Sequence, residues 1–225
     1  KNSDIVMNNV TFRSNHGDFS AGALKGENGT LELSGCTFEG NTSDTFSGGI
    51  SVNNTNIAIT NSTFINDVIL LYSSDISVVN TDFTRTDDHP GGTAISLYWG
   101  GNLFIEGSTF NGTNKAITSH GGIGEIRNTS FSNNIEGSMF FYLADSLWNY
   151  DGDELIIDGC DFNGNGNEDS WSDLYVSGFN LSLTNCTFTD ASSSAIFMYH
   201  RSATIDNCMI TNSSGWPGTV NSYYQ

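Results

Sequence analysis

Positive charge is scarce in this chain. Seven Lys and Arg stand against 25 Asp and Glu in 225 residues, a net charge of −18. Nucleic acid and anionic membrane surfaces are held by basic patches, so neither is an expected partner. Long apolar runs are also missing. The run from Val68 to Tyr72 falls far short of the roughly 20 residues of a membrane-spanning helix, so no membrane insertion by this segment is expected. Cysteine is limited to four residues and proline to two. No composition break or linker divides the chain, and we read residues 1–225 as one domain.

What the chain does have is a repeat. Leu181-Ser182-Leu183-Thr184-Asn185-Cys186-Thr187-Phe188 reads as two inward aliphatics two apart, a turn residue, then a small residue and a Phe two apart. Nine copies occur, and their turn slot is only Asn or Gly: Asn9, Gly35, Asn61, Asn80, Gly107, Asn128, Gly159, Asn185 and Asn207. These two residue types share tolerance of the left-handed region, so each copy is expected to bend at one fixed point between two short strands. Period-2 alternation on both sides gives each flanking strand one buried face. Successive Phe positions lie between 19 (Phe64 to Phe83) and 31 (Phe131 to Phe162) residues apart. Coils of that length, each carrying short strands, predict a parallel β-helix of about nine coils, a rod on the order of 40 Å long.

These residues resemble right-handed β-helix repeat proteins of pectin-lyase-like architecture. In repeat style they are similar to polymorphic outer-membrane and adhesin-like surface proteins, whose repeats carry Gly-Gly-Ala/Ile and Phe-x-x-Asn segments. Gly48-Gly49-Ile50 and Gly92-Thr93-Ala94-Ile95 echo the first segment. Phe12 to Asn15, Phe38 to Asn41, Phe131 to Asn134 and Phe162 to Asn165 echo the second, whereas Phe64, Phe83, Phe110 and Phe188 lack Asn at that offset. The resemblance implies an extracellular or cell-surface location. No amphipathic capping helix precedes Ile5 or follows Ile210. Solenoids usually need capped ends, so we expect either a part of a longer protein or ends that meet other copies in a homo-polymer.

A third strand lies between consecutive motifs. Its alternation places Leu24, Ile50, Ile95, Ile117, Leu174 and Ile196 inside and sends Tyr72, Tyr98, His120, Tyr142, Tyr175, Phe197 and Tyr199 outside. Register is ambiguous where Val68–Leu71 and Met139–Phe141 are apolar throughout, since a one-residue slip would reverse the assignment. With Trp99 nearby, the outward rings Tyr72, Tyr98, Tyr142, Tyr175, Phe197 and Tyr199 form a candidate file for binding carbohydrate or a protein partner. Aromatics also stabilise cross-strand ladders whatever they face, which is the competing explanation.

Other constellations carry less. Cys36, Cys160, Cys186 and Cys208 all occupy the small slot after the turn. Buried thiols are the expected state, with a bridge through Cys186 as the alternative. Asp161, Asn163, Asn165, Asn167 and Asp169 match the opening of a calcium loop, but Ser172 stands where its terminal Glu belongs. A solvated Asn–Gly turn is therefore preferred, with calcium as the alternative and no other cofactor expected. Asn-x-Ser/Thr sequons at the loop sites Asn28, Asn41, Asn53, Asn111 and Asn212 are candidate glycosylation sites. Only His120, Tyr142, Asp145 and His200 could gather as a catalytic cluster. Glycoside hydrolysis needs paired carboxylates, and Asp82 and Asp161 are three coils apart. The resulting expectation is an extracellular surface domain acting in adhesion or assembly through its aromatic face. The alternatives are a polysaccharide-active lyase or hydrolase, and a self-assembling filament subunit.

Overall fold

The computed structural model describes residues 3–19, 21–44, 48–86, 92–142, 154–167, 170, 172–199, 202–214 and 219–223. Every pairing between its strands is parallel, and among the described residues there is no helix. No helix is therefore long and apolar enough to cross a membrane.

Three walls wind around one thin core. The first is built from the aliphatic arm of each repeat, from Ser3–Asn8 to Ala203–Asp206. The second stacks the phenylalanine arms, from Thr11–Arg13 to Met209–Thr211, as a nine-stranded sheet in register. The third carries the intervening strands, including Ile69–Tyr72, Thr93–Tyr98, Met139–Tyr142, Ser172–Ser177 and Ser194–Tyr199. In two early coils the third and first walls are one continuous strand, Leu24–Ser34 and Ile50–Thr60, which merges both walls into a single sheet.

All nine turn residues have positive φ, between 48° and 64°. The corners thus sit where the Asn/Gly slot places them. Directly beyond each corner, the Phe rings stack. Phe38 lies 4.6 Å from Phe64 and Phe83 lies 4.6 Å from Phe110, with planes within 1° of parallel. The stack runs on through Phe131 and Phe162 to Phe188, all fully buried.

The slot after the turn wants more than small size. A corner residue breaks the local ladder, and the next amide bonds to the slot side chain one coil on. Cys36 N donates to Ser62 Oγ (3.0 Å), Thr81 N to Ser108 Oγ (3.2 Å) and Cys160 N to Cys186 Sγ (3.4 Å). Each hydroxyl or thiol in turn donates to the carbonyl two residues back, as Ser62 does to Thr60 and Cys186 to Thr184. Ser, Thr and Cys share this donor-and-acceptor ability, which explains their interchange. All four cysteines are free thiols. The hydrogen bond with Cys160 and burial push the Cys186 thiol up.

Polar side chains also run in file three residues after several of the Phe positions, mostly buried. Asn15 N and Nδ2 both donate to Asn41 Oδ1 (3.0 and 2.8 Å), and Asn41 Nδ2 donates to Phe12 O and Asp67 Oδ2. Higher up, Thr113 donates to Asn134, which donates to Asn165. The next residue in that slot is Ala191, which offers no acceptor, and Asp173 takes the Asn165 amide instead at 3.2 Å. Each file therefore ends on a buried carboxyl. Burial pushes both Asp67 and Asp173 up to about 6.

A raised carboxyl pKa means that the folded state holds its proton longer than the unfolded chain. Stability from this source is present at low pH and falls as pH rises from about 3.8 to about 6. Asp67→Asn keeps an acceptor for Asn41 and removes the buried charge. Its stability relative to wild type should be near zero at pH 4 and about 2 kcal/mol favourable at pH 7. Urea melts at the two pH values check this, and a pH-independent difference would refute it.

Candidate functional site

The outer face of the third wall presents the aromatic side chains, but as two columns instead of one file. Tyr72 pairs with Tyr98, and the stack continues to His120, with centroids 5.5 and 4.9 Å apart. Tyr142 meets His120 edge-on at 6.2 Å. The second column holds Phe140, Tyr175 and Phe197, 4.4 and 5.3 Å apart with planes within 10°. Tyr175 and Phe197 are thus not above Tyr142. Tyr142 pairs with Ser177, and Ser177 with Tyr199. Register between coils, and not outwardness alone, decides column membership.

The ambiguous stretches resolve by alternation. Met139 and Phe141 point inward and are buried, whereas Phe140 is half-buried on the outer face. Ile69 and Leu71 are inside. Counting back two from Tyr142 would have identified Phe140, the ring that sequence reasoning missed.

Within a column the rings lie face to face, so most present edges to solvent. This corrects the expectation that the whole file offers stacking platforms. The exceptions are at the column ends. Phe140 is preceded in register by Thr118, not by another ring, and Lys115 Nζ lies 5.9 Å from its centroid. Trp99 leans against Tyr72 at 5.0 Å and 43°, and is 70% exposed. Its φ of +63° is costly for a bulky residue, by about 1 kcal/mol or more. A strained backbone that leaves an indole in solvent marks a candidate contact residue.

Phe140 borders a cleft of about 560 Å³, lined also by Lys115, Glu136, Asn167, Ser170, Ser172 and Tyr175. Glu136 accepts from Lys115 (2.7 Å) and Asn114 (2.8 Å), and these bonds hold its carboxyl below the usual range, so it is ionised. Ser172 is 4% exposed, and its hydroxyl has no hydrogen-bond partner among the described residues. A buried hydroxyl normally finds a partner, and this one lies at the wall of the cleft without one among the described residues.

The catalytic cluster is reduced. His120 and Tyr142 do meet, but burial holds His120 below its ordinary value, so it is a neutral ring at pH 7. Asp145 and His200 lie outside the described residues. Raised carboxyl pKa values often mark catalytic acids. Here they belong to Asp67 and Asp173, whose partners are the asparagine files.

The calcium-loop residues do not converge. Asp161 and Asn163 share the outer face of a strand, Asp161–Asn163, and Asp161 accepts a hydrogen bond from Thr187. The positive φ of Gly164 then turns Asn165 inward, where it is fully buried and its amide and carbonyl are engaged by Phe131, Asp173 and Asn134. Asn167 is bonded to Ser170, and Asp169 lies outside the described residues. Of the sequons, Asn28, Asn53, Asn111 and Asn212 are exposed, whereas Asn41 is 3% exposed with both amide hydrogens committed to Phe12 and Asp67. Asn41 is not presented for glycosylation in the folded protein.

Among solved structures the chain is similar to the polygalacturonase from Erwinia carotovora ssp. carotovora, at 14% identity over 92% of this chain and 73% of that one, with a TM-score of 0.46. A comparison with curated proteins finds no match. The family described as right handed beta helix region matches residues 67–222. That span is more than half of the sequence, and with its parallel coils the chain belongs to the right-handed β-helix family.

Proposed function

We propose that this β-helix is an extracellular surface domain that binds neutral polysaccharide on its third wall, with one sugar ring seated in the cleft beside Phe140. The observation that carries this reading is the pairing, in one cleft, of a ring with no second ring on its cleft side and a buried hydroxyl, Ser172, without a partner among the described residues. A sugar has an apolar C–H face and a rim of hydroxyls, so it matches a ring flanked by Glu136, Asn167, Ser170 and Ser172. Neutral glycans are favoured over polyuronates. The net charge of −18 repels polyanions, and Lys115 is already neutralised by Glu136. Trp99 and Tyr72 would form a second contact along the same wall.

On an array of neutral and acidic glycans, the chain should retain neutral polymers and ignore polyuronates. Phe140→Ala should weaken retention about tenfold, the equivalent of about 1.4 kcal/mol. Ser172→Ala should weaken it less. Binding unaffected by either change would refute the cleft. Release of reducing ends by the same preparation would overturn the binding role in favour of an enzyme.

A further inference from the structure

Away from that wall, the pairing of the first two coils brings three potential metal ligands together. His16–Gly17 pairs with Thr42–Ser43, and the backbone bonds Thr42 N to Asn15 O (2.8 Å) and Asp44 N to Gly17 O (3.2 Å) extend the contact. The chain then doubles back after Gly17. A Cβ there would stand 2.0 Å from Ala21 O, so only glycine permits this fold. The return sets Asp18 beside His16 and Asp44, and one ligand atom from each lies within 4.8 Å of the others. Among the described residues no other set of three His, Cys, Asp or Glu side chains does this.

We infer that His16, Asp18 and Asp44 bind a divalent transition-metal ion of the zinc class, clipping the first coil to the second. The imidazole is oriented for it. Its Nδ1 lies 3.0 Å from Thr42 Oγ1, and in the tautomer that donates Nδ1–H to this hydroxyl the Nε2 lone pair faces Asp44. Such an outer hydrogen bond is how ligating histidines are held. Nε2 lies 3.4 Å from Asp44 Oδ1, and atoms about 2.1 Å from a tetrahedral ion lie about 3.4 Å apart. Asp18 has its ligand atom within 4.8 Å of the other two, and it closes the remaining gap by side-chain rotation, which its exposure permits. Two carboxylates converging in a chain of net charge −18 repel one another unless a cation lies between them. The nitrogen donor selects zinc, cobalt or nickel over calcium and magnesium. Water would complete the coordination.

The test is calorimetric titration of the metal-free full chain with zinc chloride, with cobalt chloride as a visible-absorption probe. One ion per chain is expected, undisturbed by excess magnesium, and thermal stability should rise with zinc concentration. His16→Ala and Asp44→Asn should each weaken binding at least tenfold and remove the thermal shift. Absence of saturable binding would overturn the site. Zinc affinity that survives in His16→Ala would also overturn it, by assigning the ion to other side chains.

Discussion

Phe110→Ala is expected to lower stability by about 4 kcal/mol, a fall in Tm on the order of 10 °C. Phe110 is fully buried between Phe83 at 4.6 Å and Phe131 at 5.1 Å. The substitution leaves a ring-sized void and removes two stacking contacts, each worth about 1 kcal/mol. Its neighbours cannot close the gap, because their strands are pinned one coil apart by ladder hydrogen bonds. In a solenoid each coil depends on the two beside it, so a central loss acts on both sides. Phe12 is half-buried and stacks with Phe38 at 4.8 Å. Phe12→Ala should therefore cost less than half as much. Thermal melts followed by circular dichroism compare the two, and equal shifts would show that the ring stack does not hold the coils together.

Asn134→Ala should cost about 4 kcal/mol by a different route. Asn134 Oδ1 accepts from Thr113 N and Oγ1 (3.0 and 2.6 Å), and its Nδ2 donates to Asn165 Oδ1 and Phe110 O. Alanine leaves the Thr113 donors and the Phe110 carbonyl buried without a partner, at about 1–3 kcal/mol each. The loss should appear as a lower urea midpoint. Asn111 lies on an exposed outer face, so Asn111→Ala should change stability by less than about 0.5 kcal/mol. A small effect at Asn134 would mean that water readily replaces the file.

The walls were legible because one backbone demand repeats. Only Asn and Gly meet a positive φ cheaply, and Asn61, Gly107 and Asn185 marked corners that do stack. The functional face was legible only in outline. Alternation tells inside from outside along one strand, and it placed Tyr72, Tyr98 and Tyr142 correctly. It says nothing about which residue of the next coil lies above. Tyr175 therefore fell into the wrong column, and Phe140 was lost in an apolar run. Tripeptide patterns misled in a similar way. Asn41 satisfies the sequon, and Asn165 fits a calcium-loop position, yet each is an inward amide bonded across coils. Their Phe-x-x-Asn offset was the better guide, because it follows the coil. The group at His16 escaped notice since 26 residues of chain separate its strand from its partner.

The unequal coil lengths carry one more consequence. A spacing of 19 residues between Phe64 and Phe83, and of 31 between Phe131 and Phe162, leaves the rings stacked at 4.8 and 5.0 Å. The ring stack keeps its spacing whatever the length of chain between successive rings. Lineages of this protein can thus lengthen, shorten or exchange the segments that edge a binding surface while inheriting an unchanged frame, so novelty in recognition comes at little structural risk.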